Sequence, residues 1–175
     1  MSSQGYLELV RLSQSRDHLE INKQLEKAEP WIGIAFQFEQ HNFVIPVGDV
    51  LEVINLPELT PIPFSQSWIL GVANWRGKLL TVVDLKQRNL GLFTELKNSK
   101  LLCLSNQDHY LALLLDHVDG IKHFDINSYC AVLGNLESTL QSSSRGFFYS
   151  ENQKWYVLDV SQLLTNTKSN KSIQP

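Results

Sequence analysis

Residues able to do chemistry are few in this 175-residue chain, and their spacing argues against catalysis. Gly71 to Lys78 (GVANWRGK) has the outline of a phosphate-binding loop, but five residues rather than four separate its glycines, and Leu79 stands where a hydroxyl residue would hold magnesium. That excludes nucleotide binding by this route. No GxSxG elbow, HExxH helix or Gly-rich dinucleotide fingerprint occurs. His109, His117 and His123 could converge on a metal if their strands were neighbours, yet their spacing matches no ligand motif; the expectation is no metal and no cofactor. Cys103 and Cys130 lie in unlike contexts without a CxxC, which argues against a thiolate zinc site or a disulfide framework and fits a reducing cytoplasm.

Binding chemistry is better represented. Arg76, between Asn74 and Gly77 on a tight turn, presents a guanidinium fork on a rigid base. It either meets a partner or closes a plain ion pair, and exposed pairs contribute little. Trp68 and Trp75 bracket this turn, and tryptophan beside arginine is the composition of interface hot spots. Trp68, inside an apolar run, is expected to fill the core, and Trp75 to be partly exposed as an interface aromatic. Asp84 sits where a strand gives way to a helix that closes on Gly91, the place of an N-cap.

The elements that must hold these residues follow from periodicity. Leu79, Leu80, Val82 and Val83 read as a core strand covered on both faces. Ile32, Ile34, Phe36 and Phe38 alternate with smaller or polar residues, and Phe43 to Val47 follows a turn, which predicts a hairpin. Val47, Val50, Leu51 and Ile54 recur at three- and four-residue spacing, predicting a short amphipathic helix or turn stopped by Pro57. Pro61 and Pro63 flank Ile62 in an extended edge segment. Lys100 to Ser105 and His109 to Leu115 form a second hairpin, LDHVDG falls where VGDVLE fell, and KWYVLDV echoes LLTVVDL. Two similar β subdomains are therefore expected, the second lacking the decorated turn: Ser144 to Gly146 offers an arginine and a glycine but no preceding asparagine. Residues 126 to 144 read as a long polar connection.

Residues 1–29 form an N-terminal extension, helical over 3–28, whose broken stripe of Leu9, Leu12, Leu19, Ile21 and Leu25 either docks on its own domain or a neighbour, or remains a frayed tail. Residues 166–175 are polar and aperiodic, as in a disordered tail. With 43% hydrophobic and 19% charged residues, the chain has the composition of an ordinary soluble domain with a real core. A net charge of -3 and no basic run argue against a nucleic-acid face. No apolar run approaches the ~20 residues needed to cross a bilayer, so direct membrane insertion is not expected.

The pattern of Gly71, Asn74, Arg76 and Gly77, then a β run, then Asp84 and Leu85, resembles the signature of CheW-type chemosensory coupling proteins, and the order of elements from Gly33 to Leu164 is similar over most of the chain. WIGIAF, GVANWRGKLL and the N-terminal extension look most like the PilI-type adaptors of type IV pilus twitching systems. The resemblance implies a mainly β fold of two side-by-side five-stranded SH3-like barrels with an N-terminal helix and short connecting helices, in a domain over 30–165. The first barrel would span about 41–99 and the second about 100–160, with contributions from the ends. It implies no enzymatic activity; a cytoplasmic adaptor recruited to receptor arrays at the inner membrane; and two partners, a methyl-accepting chemoreceptor cytoplasmic tip and the regulatory domain of a CheA-type histidine kinase. By position, the receptor face falls on Val50, Glu52, Gly71, Asn74 and Arg76, with Gly77 and Asp84 as structural turn and cap. The kinase would dock on or near the second barrel, where no sharp motif is found. A stand-alone peptide-binding module and a small enzyme with a site between the barrels are the competing readings.

Overall fold

The computed structural model describes residues 29–163 apart from 107, 108, 135 and 137. The expected N-terminal helix and the polar tail lie outside the described residues. In chain order come β1 (Trp31–Phe38), β2 (His41–Pro46), a 3-10 turn (Val47–Asp49), β3 (Val50–Asn55), β4 (Ile69–Trp75), β5 (Lys78–Asp84) and α1 (Leu85–Leu90). Then follow β6 (Lys100–Asn106), β7 (His109–Leu115), β8 (Val118–Phe124), a 3-10 turn (Ile126–Ser128), β9 (Tyr129–Cys130), α2 (Ser138–Gln141), β10 (Ser144–Ser150) and β11 (Gln153–Leu158). Among the described residues no helix is long and apolar enough to cross a membrane.

The fold is mainly β, with two SH3-like sheets side by side: six strands in the order β8-β1-β2-β11-β10-β9, and five in the order β3-β6-β7-β5-β4. Strand alternation sorts the side chains into three apolar layers. Phe36, Ile45, Leu102 and Leu113 meet between the sheets, Ala35, Val44, Phe124 and Phe148 fill the six-stranded barrel, and Leu80, Val82, Leu101 and Ala112 fill the five-stranded one.

The sheets do not divide along the halves of the chain. The β1–β2 hairpin joins β8 to β11 in the six-stranded sheet, and the β6–β7 hairpin joins β3 to β5 in the five-stranded one, so each half of the chain gives its first hairpin to the sheet that holds the rest of the other half. The echo between the halves is nonetheless structural. β4 and β10 have the same burial pattern, and Gly71 and Gly146 sit at matching register shifts, each where an added Cβ would stand 2.5 Å from a carbonyl oxygen of a neighbouring segment, Thr60 or Cys130. Asp84 and Asp159 each accept from the amides two and three residues on. This alignment corrects one expectation: Arg145 and Gly146 correspond to Leu70 and Gly71, and the second copy's counterpart of the decorated turn is Glu151–Asn152, both at positive φ.

Two further expectations fail locally. Val50 to Asn55 is a strand rather than a helix, with Val50, Glu52 and Ile54 half-buried and Leu51, Val53 and Asn55 exposed. Val50 and Ile54 fit both a four-residue and a two-residue period, and pairing with β6 decides between them in favour of the β-branched preference. Leu79, assigned to a doubly covered strand, is 67% exposed because β5 starts at the hairpin tip, beyond the reach of either layer.

Candidate functional site

The β4–β5 hairpin turns through Arg76 (φ 52) and Gly77 (φ 77), a two-residue loop with both residues left-handed, as in a type I′ turn. Asn74 Oδ1 accepts from Gly77 N at 2.9 Å and ties the loop to its own strand. Glycine holds this conformation freely, whereas a side chain such as that of Arg76 costs roughly 1–2 kcal/mol there. Asparagine would strain the turn less, so local stability does not account for an arginine at this place.

Neighbouring elements supply what the guanidinium meets. β3 carries Glu52 to the turn, where one oxygen, Oε2, accepts from Arg76 Nη2 at 2.9 Å and from Trp75 Nε1 at 3.2 Å. The Arg76 guanidinium lies 5.2 Å from the Trp75 ring, and Tyr110, 6.1 Å from that ring, lies under Lys78. Arg76 keeps 68% of its side chain exposed, so the ion pair contributes no more than about 1 kcal/mol to the fold. Most of the fork's donors remain available to a partner. Trp75 is half-buried, as expected, its body against the five-stranded barrel and its indole N–H on Glu52.

Of the residues assigned to the receptor face, the structure gathers Glu52, Asn74 and Arg76 with Trp75 and Gly77. Val50 precedes Glu52 by two on the same strand and leans on the inter-sheet core. Gly71 lies further back in β4, where its missing Cβ lets Thr60 pair with Val72 through hydrogen bonds of 2.8 and 2.9 Å. Asp84 is buried and caps α1 as expected, its Oδ1 accepting from Lys86 N and Gln87 N. A second role of Asp84 escapes sequence reasoning, because it also accepts from Thr94 N and Thr94 Oγ1, both at 2.8 Å, and so pins the segment after α1. Trp68 is half-buried rather than filling the core, with the Arg88 guanidinium 5.2 Å from its ring. His109 is on β7 and His123 on β8, strands of different sheets, and among the described residues no three metal-ligating side chains gather.

The second copy's corner also escapes it. Glu151, in the place of Arg76, pairs with Lys122 of β8 at 2.8 Å, and that ammonium lies 4.6 Å from the Trp155 ring. The charges are exchanged relative to Arg76 and Glu52. Reading FFYSENQKWYV as a hairpin with Glu-Asn at its tip would have found this turn.

Cys103, buried on β6 opposite Glu52, has its thiol pushed up to about 11 by burial and, secondarily, by that carboxylate. A thiol that binds its proton more tightly when folded stabilises the fold fully below its unfolded pKa near 9.0 and loses that contribution as pH rises to about 11. Thermal stability is expected to fall across that window by a step that Cys103→Ala lacks. Native-state alkylation should modify Cys130 and spare Cys103 until unfolding.

Fold and site together define a β scaffold that displays a cationic and aromatic cluster on a rigid hairpin. The chain belongs to the CheW-like domain family, whose pattern matches residues 33–168. It is 37% identical over 138 residues to Protein PilI of Pseudomonas aeruginosa, covering 77% of this chain and 75% of that protein. It is 25% identical over 132 residues to Chemotaxis protein CheW of Thermotoga maritima, covering 75% of this chain and 85% of that one. The crystal structure of the scaffolding protein TtCheW from Thermoanaerobacter tengcongensis has the same fold, with a TM-score of 0.67 at 23% identity, covering 75% of this chain and 90% of that one.

Proposed function

We propose that this chain is a non-catalytic chemosensory adaptor that couples the cytoplasmic tip of a methyl-accepting chemoreceptor to the regulatory domain of a CheA-type histidine kinase. Membership of the CheW-like family and the 37% identity to PilI support this reading and favour an output through type IV pilus twitching. The adaptor works in the cytoplasm, recruited to receptor arrays at the inner membrane. The observation that carries the assignment of the receptor face is Arg76, held in a strained backbone conformation with its fork exposed. Glu52 and Trp75 orient the guanidinium, Asn74 and Gly77 hold the turn, Gly71 seats the adjacent segment, and Val50 borders the face. A rigid scaffold with separate faces raises the effective concentration of one partner near the other, and a signal passes as differential affinity for two receptor conformations.

Arg76→Ala is expected to leave thermal stability within about 1 kcal/mol of wild type, because the pair it breaks is exposed. It should weaken receptor-tip binding by about 1 kcal/mol or more, as for hot-spot arginines. A pull-down of the purified chain against the receptor tip and the kinase regulatory domain, singly and together, checks both halves of the proposal. Loss of the receptor alone supports the assignment. A variant that unfolds, or one that still binds the receptor fully, removes Arg76 from the interface.

A further inference from the structure

The apolar layer between the two sheets comes to the surface along one flank. Register puts Ile121 of β8 opposite Ile34, and Val50 and Val53 of β3 opposite Leu104 and Leu102, and all three partners are buried in that layer. Ile121 is nonetheless 65% exposed, and Val47, Leu51 and Val53 are exposed as well. β8 and β3 are the edge strands next to β1 and β6, and the 3-10 turn Val47–Asp49 packs on both β1 and β6, which brings the two edges to the same flank. Between them runs an apolar groove with half-buried Ile32 and Val50 at its floor. Single exposed aliphatics are ordinary, but a contiguous set continuous with a core layer marks a surface that another segment covers.

The chain itself supplies a segment of matching position and chemistry. Residues 1–28 precede β1 and carry Leu19, Ile21 and Leu25 close to its start. The chain enters β1 at Trp31, opposite Phe124, and β2 ends at Pro46, opposite Gly33, so the groove opens at this end of β1. Ile121 is three residues from Phe124 along β8, about 10 Å. Leu25 is five residues before Pro30, a reach of about 8 Å if helical and about 17 Å if extended. The other exposed apolar set, Leu90, Leu92, Phe93 and Leu96, follows α1, whose Lys86 pairs with Glu39 at the far tip of β1, about 25 Å from Trp31. A tether favours the nearer surface, because effective concentration is set by the span it must cross.

We infer that residues 19–25 lie in this groove as an intrachain cover, with Ile21 and Leu25 against Ile121 and Val53. The functional consequence rests on the adaptor reading above. Val50 lines the groove and borders the assigned receptor face, so a receptor tip must displace the segment before it seats fully. The cover then lowers the apparent receptor affinity by the fraction of chains that are open.

Alkylation of the full chain carrying Val53→Cys tests the cover, with and without the pair Ile21→Ser and Leu25→Ser. Cys130, on β9 at the opposite edge of the six-stranded sheet from β8, is the internal reference. With the native segment, the thiol of Val53→Cys is expected to react at least tenfold more slowly than with the two serines, while Cys130 reacts equally in both. The chain with the two serines should also bind the receptor tip at least threefold more tightly. Equal rates for Val53→Cys in the two chains overturn the cover and leave the adaptor reading intact. Protection that fades on dilution places a second copy's segment in the groove and overturns the intrachain assignment. Faster alkylation with unchanged receptor affinity overturns the competition, and faster alkylation with no receptor binding by either chain overturns the adaptor reading while the cover stands.

Discussion

Asp84→Ala is expected to lower stability by about 3–7 kcal/mol, because the buried amide and hydroxyl of Thr94 lose their acceptor at about 1–3 kcal/mol each and the part-buried amides of Lys86 and Gln87 lose their cap at about 1 kcal/mol. Asp84 and Thr94 are both buried, so water cannot replace the carboxylate without opening the structure. Only part of this loss is a helix cap, worth about 1 kcal/mol. The rest lies in the tie to Thr94, which holds the segment after α1 against β5. Asp84→Asn keeps one acceptor oxygen but turns an amide towards one of the donors, and an intermediate loss is expected. Urea unfolding measures both variants; a shift for Asp84→Ala no larger than that of an ordinary cap would show that the Thr94 tie carries no free energy.

Gly71→Ala is the second large effect, a loss of about 3 kcal/mol or more of the kind that overpacking produces. An added Cβ meets Thr60 O at 2.5 Å and Thr60 C at 3.0 Å, and φ is 144, so both the neighbouring backbone and the residue's own backbone resist the change. Relief requires breaking the Thr60–Val72 pairing that holds the 60–63 segment. Gly77→Ala is the control: its φ of 77 is also left-handed, but nothing stands within 4 Å, and only the backbone preference of about 1–2 kcal/mol is lost. Thermal unfolding of the two variants should therefore separate them clearly. Equal losses would mean that the close approach at Gly71 yields without cost.

Much of the first half of the candidate site is legible in the sequence because its signals are local. A turn with Asn74, Arg76 and Gly77, a strand after it and an aspartate before a short helix lie within twelve residues, where backbone preference and capping act without help from the rest of the chain. The side chains that complete the site arrive from elsewhere. Glu52 is 24 residues from Arg76, and Thr94 is 10 from Asp84, separations at which no periodicity announces a contact. Val50 to Asn55 misleads for the same reason: its apolar spacing suits a helix or a strand, and the neighbour that decides is β6.

The sequence by itself determined that this is a β protein with a repeated plan, a decorated first turn, a capping aspartate in each half and no recognisable catalytic motif. Alternation, turn chemistry and capping are short-range, and each is written in a few adjacent residues. Only the tertiary structure decided that the halves exchange their first hairpins, that the second turn is Glu151–Asn152 with its charges reversed, and that Phe64 stands strained and uncovered. Those facts depend on which distant strand satisfies an edge's free backbone groups and on which side chains the packing leaves in water. Both are properties of the assembled sheets, settled by the best overall burial and pairing and absent from any single stretch of chain.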